Sequence, residues 1–182
     1  MTFEALAKQG QTTVFESLVA SIAPKIRGIR KEYIKESFYG SQQVEHRLEI
    51  VAVIKGMEFI NDSKSSTVNS TWFALESTTR PIIWIVGGVE CGNNYDFLRH
   101  LVRTKVKSII CLGRDTTRIH DAFEELDIPM ADAFSMEEAV ESAYYMGNNG
   151  DAVLLSPACP SFDLFDNFEQ RGEAFRKAVK NL

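Results

Sequence analysis

The segments Ile82-Ile-Trp-Ile-Val-Gly-Gly88 and Ser108-Ile-Ile-Cys-Leu112 decide the fold. Each contains an unbroken apolar run of strand length, rich in β-branched residues, and Tyr95 to Lys105 between them carry helical spacing. A strand with no polar alternation is buried on both faces. Strands of that kind separated by amphipathic helices imply a parallel sheet covered on both sides, with right-handed crossovers.

Working outward from these two strands, the alternation continues. Asp115 to Glu125 reads as a helix with Asp115 as N-cap, and Ile128 to Met130 as a short strand. Ser135-Met-Glu-Glu138 has the spacing of a capping box and opens a helix with Met136, Ala139, Val140 and Ala143 on one face. Ala152 to Leu155 is a third buried strand, and Phe168 to Leu182 a closing helix. On the N-terminal side, Leu48–Ile54 and Met57–Ile60 flank Lys55-Gly56, which predicts an antiparallel hairpin at an edge of the sheet. Residues 1–40 read as a helical hairpin. Phe15, Leu18, Val19, Ile22 and Ile26 form a stripe, Pro24 kinks it, and a second helix over Lys31 to Phe38 stops at Gly40. A boundary between this tail and the body falls at Gly40 to Val44. The fold class is thus α/β, a Rossmann-like, mostly parallel sheet flanked by helices. Ligands in such sheets bind beyond the carboxyl ends of the strands, which directs attention to the loops at 61–70, 87–94, 113–116 and 156–166.

Composition narrows the function classes. The 182 residues are 45% hydrophobic and 25% charged with net charge -5, an ordinary globular profile without the concentrated basic face that nucleic acid requires. No apolar run approaches the roughly 20 residues of a membrane span, and no basic-then-apolar signal follows Met1. Cys91, Cys111 and Cys159 are widely spaced and form no C-x-x-C pair, which argues against a disulfide framework and against a zinc site and fits a reducing cytoplasm.

Four stretches carry potential chemistry. Gly87-Gly-Val-Glu-Cys-Gly92 follows a strand and matches neither a P-loop nor G-x-G-x-x-G. A tight turn accounts for it more simply than an anion cradle does. The seven polar residues Asn61 to Thr67 precede an apolar helix; they both cap it and offer hydroxyls and a lysine to a carboxylate or phosphate. In Ser156-Pro-Ala-Cys-Pro-Ser-Phe-Asp163, Cys159 reads as a small buried hydrophobe more readily than as a nucleophile. Arg47 is either an anion ligand or a surface ion pair, while His100 and His120 read as solvated helix residues.

Taken in order, Val44-Glu-His-Arg-Leu-Glu49, Phe59-Ile-Asn-Asp-Ser-Lys64, Asn69-Ser-Thr71, Ile85-Val-Gly-Gly88, Leu154-Leu-Ser-Pro-Ala-Cys159, Ser161-Phe-Asp163 and Asn167-Phe-Glu-Gln-Arg-Gly172 resemble the D-glutamate-adding branch of the ATP-dependent Mur ligases. The resemblance implies that 1–40 are the tail of that family's central domain and 41–182 its C-terminal, amino-acid-binding domain. It implies a role in peptidoglycan synthesis in the cytoplasm, joining D-glutamate to UDP-N-acetylmuramoyl-L-alanine through an acyl phosphate. ATP and magnesium would be held mainly by domains beyond this chain, with none expected bound to it alone, and no nucleic-acid or membrane partner is implied. By the same resemblance, Arg47 and Asp62 contact nucleotide, whereas Lys64, Ser66, Cys91, Ser161, Phe162 and Phe168 surround the amino acid. No catalytic residue and no metal ligand is carried over. Cys91 stands where the family usually has a lysine that grips the glutamate side chain. Thr12, Thr13 and Glu16 stand where it has nucleotide-facing His, Asn and Asn. Without a P-loop, the chain alone is expected neither to hydrolyse ATP nor to form an amide. The competing reading is a non-catalytic binding or interaction module that kept this fold.

Overall fold

The computed structural model describes residues 45–182. The expectations placed on 1–44, including the kink at Pro24, the boundary at Gly40 to Val44 and the roles of Thr12, Thr13 and Glu16, lie outside the described residues.

The hairpin forms as predicted. β1 (Glu49–Ile54) and β2 (Met57–Asn61) pair antiparallel, and Ile54 faces Met57 across a two-residue turn. Lys55 and Gly56 have φ of 49° and 78°, the two positive values that a type I′ turn requires. Glycine suits the second position, because an L side chain is strained at that φ and a Cβ there would displace the exposed Asn149 side chain, whose Oδ1 lies 2.0 Å away.

Four parallel strands complete the sheet: β3 (Ile82–Gly87), β4 (Val106–Leu112), β5 (Met130–Ala133) and β6 (Ala152–Ala158). The order is β1-β2-β6-β3-β4-β5, so the hairpin lies at one edge and β6 slots between β2 and β3. The chain first advances across the sheet and then returns. With right-handed crossovers, that reversal sends the helices to opposite faces. α1 (Val68–Ser77), α2 (Asp96–Lys105) and α3 (Thr117–Phe123) cover one face, around Trp84, Leu98, Val102 and Phe123. α4 (Met136–Met146) and α5 (Phe168–Lys180) cover the other, around Phe59, Ile83, Val140 and Phe175. Trp84 is fully buried; its indole N–H donates to Ser156 O at 2.8 Å, and its ring meets Phe123 edge-on.

Several boundaries and caps differ from the sequence reading. The short strand lies at 130–133, two residues later than expected, with Ile128 packed on the core instead of paired. α3 begins at Thr117 and ends in a 3-10 turn at Glu124–Leu126. Thr116 takes the N-cap position, yet its hydroxyl donates to Asp132 Oδ1 at 2.7 Å. The cap bond therefore falls to Asp115, whose Oδ1 accepts from Thr117 N at 3.1 Å. Ser135 Oγ accepts from Glu138 N as a capping box demands, but Glu138 Oε2 reaches back to Phe134 N and not to Ser135. α1 carries a reciprocal box of its own, between Thr67 and Ser70. His120 is not simply solvated: its Nε2 lies 2.9 Å from Asp132 Oδ1.

Candidate functional site

β2, β3, β4 and β6 are mutually parallel and end at one edge, at Asn61, Gly87, Leu112 and Ala158. The loops that follow them therefore meet, as the topology predicts. Ala158 N donates to Ser65 O at 3.0 Å, and Val89 N to Pro160 O at 2.9 Å. Gly87 and Gly88 allow this approach: with φ of 136° and 135°, a Cβ would sit 2.0 Å from Leu112 O and 2.1 Å from Pro160 O, respectively. Close packing of strand ends thus explains the glycine pair. Ala158 also occupies the left-handed region, with φ 58°, a conformation costing about 1–3 kcal/mol that persists only when surroundings enforce it. Here Ser65 O and Asn93 Nδ2 hold its two backbone groups.

A buried arginine ties the junction together. Arg171, on α5, is 1% exposed. Its guanidinium donates to Ser63 Oγ (3.0 Å), Ser63 O (2.9 Å), Ser66 Oγ (3.1 Å) and Cys159 O (2.9 Å). Burial pulls Arg171 down to about 10, which leaves it charged at neutral pH. No Asp or Glu forms an ion pair with it among the described residues. The α5 stripe of Phe168, Arg171, Phe175 and Val179 shows the signal that could have found it, a charge at a position on the apolar face.

Asp62 forms a second clasp. Its Oδ1 accepts from Leu48 N at 3.2 Å and its Oδ2 from Ser156 Oγ at 2.8 Å. Burial pushes the carboxyl up to about 6, against the opposing pull of hydrogen bonds from Ser65, Ser156 and Leu48 and of the Arg47 charge. Both oxygens are thus engaged internally, and a nucleotide reaches Asp62 only if this clasp loosens. Arg47, by contrast, is exposed. His46 beside it is buried, with Nδ1 accepting from Asn61 Nδ2 at 2.9 Å. It packs so closely on α5 that a Cβ at Gly172 would lie 2.2 Å from Nδ1. Sequence reasoning left His46 and Arg171 without roles and read Asn61 and Ser63 as part of a capping or anion-binding run, whereas the four form a buried framework.

Of the residues expected around an amino acid, Lys64, Ser66 and Phe168 come together. Lys64 Nζ lies 5.8 Å from the Phe168 ring centre, and Ser63 Oγ donates to Phe168 O at 2.7 Å. Ser66 Oγ accepts from Arg171, which leaves its own proton available to donate. Ser161 is buried and its carbonyl accepts from Phe165 N, while the neighbouring Phe162 is 72% exposed. Cys91 is exposed on a loop braced by Glu90, which accepts from Asn93 N and the Tyr95 hydroxyl. Cys159 lies buried under that loop with its thiol pushed up to about 11 by burial, which favours the inert reading over the nucleophilic one.

Over all 182 residues the chain is 49% identical to the UDP-N-acetylmuramoylalanine–D-glutamate ligase of Christiangramia forsetii and 47% identical to that of Porphyromonas gingivalis. It spans 41% and 40% of their lengths, respectively. Among solved structures, the fold is shared with UDP-N-acetylmuramate-alanine ligase from Thermotoga maritima (TM-score 0.54, 12% identity, 90% of this chain and 36% of that one). It is shared also with FolC from E. coli in complex with DHPP and ADP (TM-score 0.52, 13% identity, 91% and 38%). Residues 46–159, the whole six-stranded sheet and the loops joined at its carboxyl edge as far as Cys159, match the glutamate ligase domain of the Mur ligases, and the chain belongs to that family.

Proposed function

We propose that this chain is the C-terminal, amino-acid-binding domain of a ligase that adds D-glutamate to UDP-N-acetylmuramoyl-L-alanine in the cytoplasm. The observation that carries the reading is continuous similarity, from first residue to last, to ligases of that name. The geometry supports it. Ser66 has a hydroxyl proton available to donate, and Lys64 supplies an ammonium beside the Phe168 ring, a combination suited to a carboxylate. The exposed Phe162 would cover the bound amino acid and exclude water, and the buried Ser161 would shape the floor beneath it. Arg47 is exposed and would face nucleotide phosphates, with Asp62 accepting from Leu48 N to position the hairpin end that carries it. ATP, with magnesium, would activate the acceptor carboxylate. Residues 1–40 would belong to the preceding nucleotide-binding domain and 41–182 would form this one.

A domain-exchange experiment tests the reading. The corresponding C-terminal segment of the Christiangramia forsetii ligase is replaced by this chain, and phosphate release is measured with UDP-N-acetylmuramoyl-L-alanine and D-glutamate. D-glutamate-dependent turnover is the expected result. A folded chimera that binds ATP yet shows no such turnover would favour the second reading, a non-catalytic module, for which the exposed cysteine at the lysine position is the specific observation.

A further inference from the structure

At the far end of the sheet from the hairpin, β4 and β5 pair in register with Cys111 opposite Asp132. Register partners in a parallel ladder project to the same face, so the thiol and the carboxylate stand side by side. α3 packs over that face through Ile119 and Phe123, and the intervening position brings His120 Nε2 to 2.9 Å from Asp132 Oδ1. Thr116 Oγ1 donates to the same oxygen at 2.7 Å. One sulfur, one imidazole nitrogen and one carboxylate oxygen thus lie within 4.8 Å of one another.

We propose that Cys111, His120 and Asp132 form a three-ligand site for a borderline divalent metal of the zinc type. The donor set selects the metal: a thiolate with an imidazole suits zinc or cobalt and is foreign to magnesium or calcium. Tetrahedral zinc with sulfur, nitrogen and oxygen ligands places them about 3.4–3.7 Å apart. The present separations therefore need side-chain shifts on the order of 1 Å. His120 and Asp132 are free to make them, with side chains 36% and 43% exposed, and that exposure also provides the entry path. Cys111 is buried and anchors the site from within. On binding, the thiol gives its proton to solvent and its sulfur to the metal, and water completes the coordination. The consequence is mechanical. A metal here pins α3 and β5 to β4, and so fixes the intervening loop, where Gly113 N donates to Ala133 O at 3.1 Å and Gly113 packs against Asp163.

The test uses the whole chain in a Cys91→Ser background, so that the exposed thiol contributes nothing. Cobalt(II) is titrated in and the thiolate-to-cobalt charge-transfer band is read, then zinc is added to displace it. One equivalent should bind with a tetrahedral spectrum, and zinc should raise the melting temperature. His120→Asn, a partly exposed change that leaves the core intact, should weaken cobalt binding at least about tenfold, the effect that loss of a mere supporting bond to a metal ligand already reaches. Cys111→Ser should abolish the band. No charge-transfer band, or a band whose affinity His120→Asn leaves unchanged, overturns the proposal and reduces the cluster to a hydrogen-bonded pin between α3 and β5.

Discussion

Asp62→Asn should make this protein more stable at pH 8 and remove a specific pH dependence. In the wild type the carboxyl is fully enclosed, and burial raises it from an ordinary 3.8 to about 6. A difference of that size corresponds to about 3 kcal/mol between the two protonation states. Because the folded pKa lies above the unfolded one, the folded state binds the proton more tightly. The stability Asp62 contributes is therefore fully present below about pH 4 and is lost as pH rises through 6. Asparagine mimics the protonated acid. Its oxygen still accepts from Leu48 N, and its amide faces Ser156 Oγ, which turns from donor to acceptor. Part of the gain is spent on that rearrangement, leaving about 1–3 kcal/mol at pH 8 and nearly none at pH 4. Urea unfolding of both proteins from pH 4 to 8 gives the difference curve, in which carboxyls common to both cancel. A variant less stable than wild type at pH 8, or a difference that stays flat across this range, refutes the argument that burial dominates Asp62.

Arg171→Met should cost about 3–5 kcal/mol, because it strands the Ser63 and Cys159 carbonyls in a buried setting. Urea unfolding measures the loss, and faster amide exchange at Ala158 would show the loops parting. Cys91→Lys should strengthen D-glutamate binding by roughly ten- to a hundred-fold, since a charge-assisted hydrogen bond contributes about 1.5–3 kcal/mol, with a larger gain at low salt. NMR titration of both proteins decides it, and a folded lysine variant that binds no better denies a glutamate pocket at this loop.

Local patterns alone determined much of this protein. The apolar runs at 82–86, 108–112 and 152–155 announce doubly buried parallel strands, Lys55-Gly56 announces a tight hairpin, and the order of polar blocks points to the family. These signals are legible because a strand's burial and a turn's backbone angles are written in neighbouring residues. Other features arise only in three dimensions. Nothing within 152–158 says that this last strand inserts between β2 and β3, and nothing local to Asn61–Thr67 shows which oxygens of Asp62 are already taken. The apolar stripe of α5 marks Arg171 as a charge on the buried side, but its four acceptors lie on two distant loops and are not written near it. Cys111, His120 and Asp132 are separated in sequence and meet only through the β4–β5 register and the seating of α3. The physical reason is common to all of these. Periodicity records which side of an element is buried, whereas strand order, register and the partners of a buried polar group depend on contacts between segments far apart in the chain.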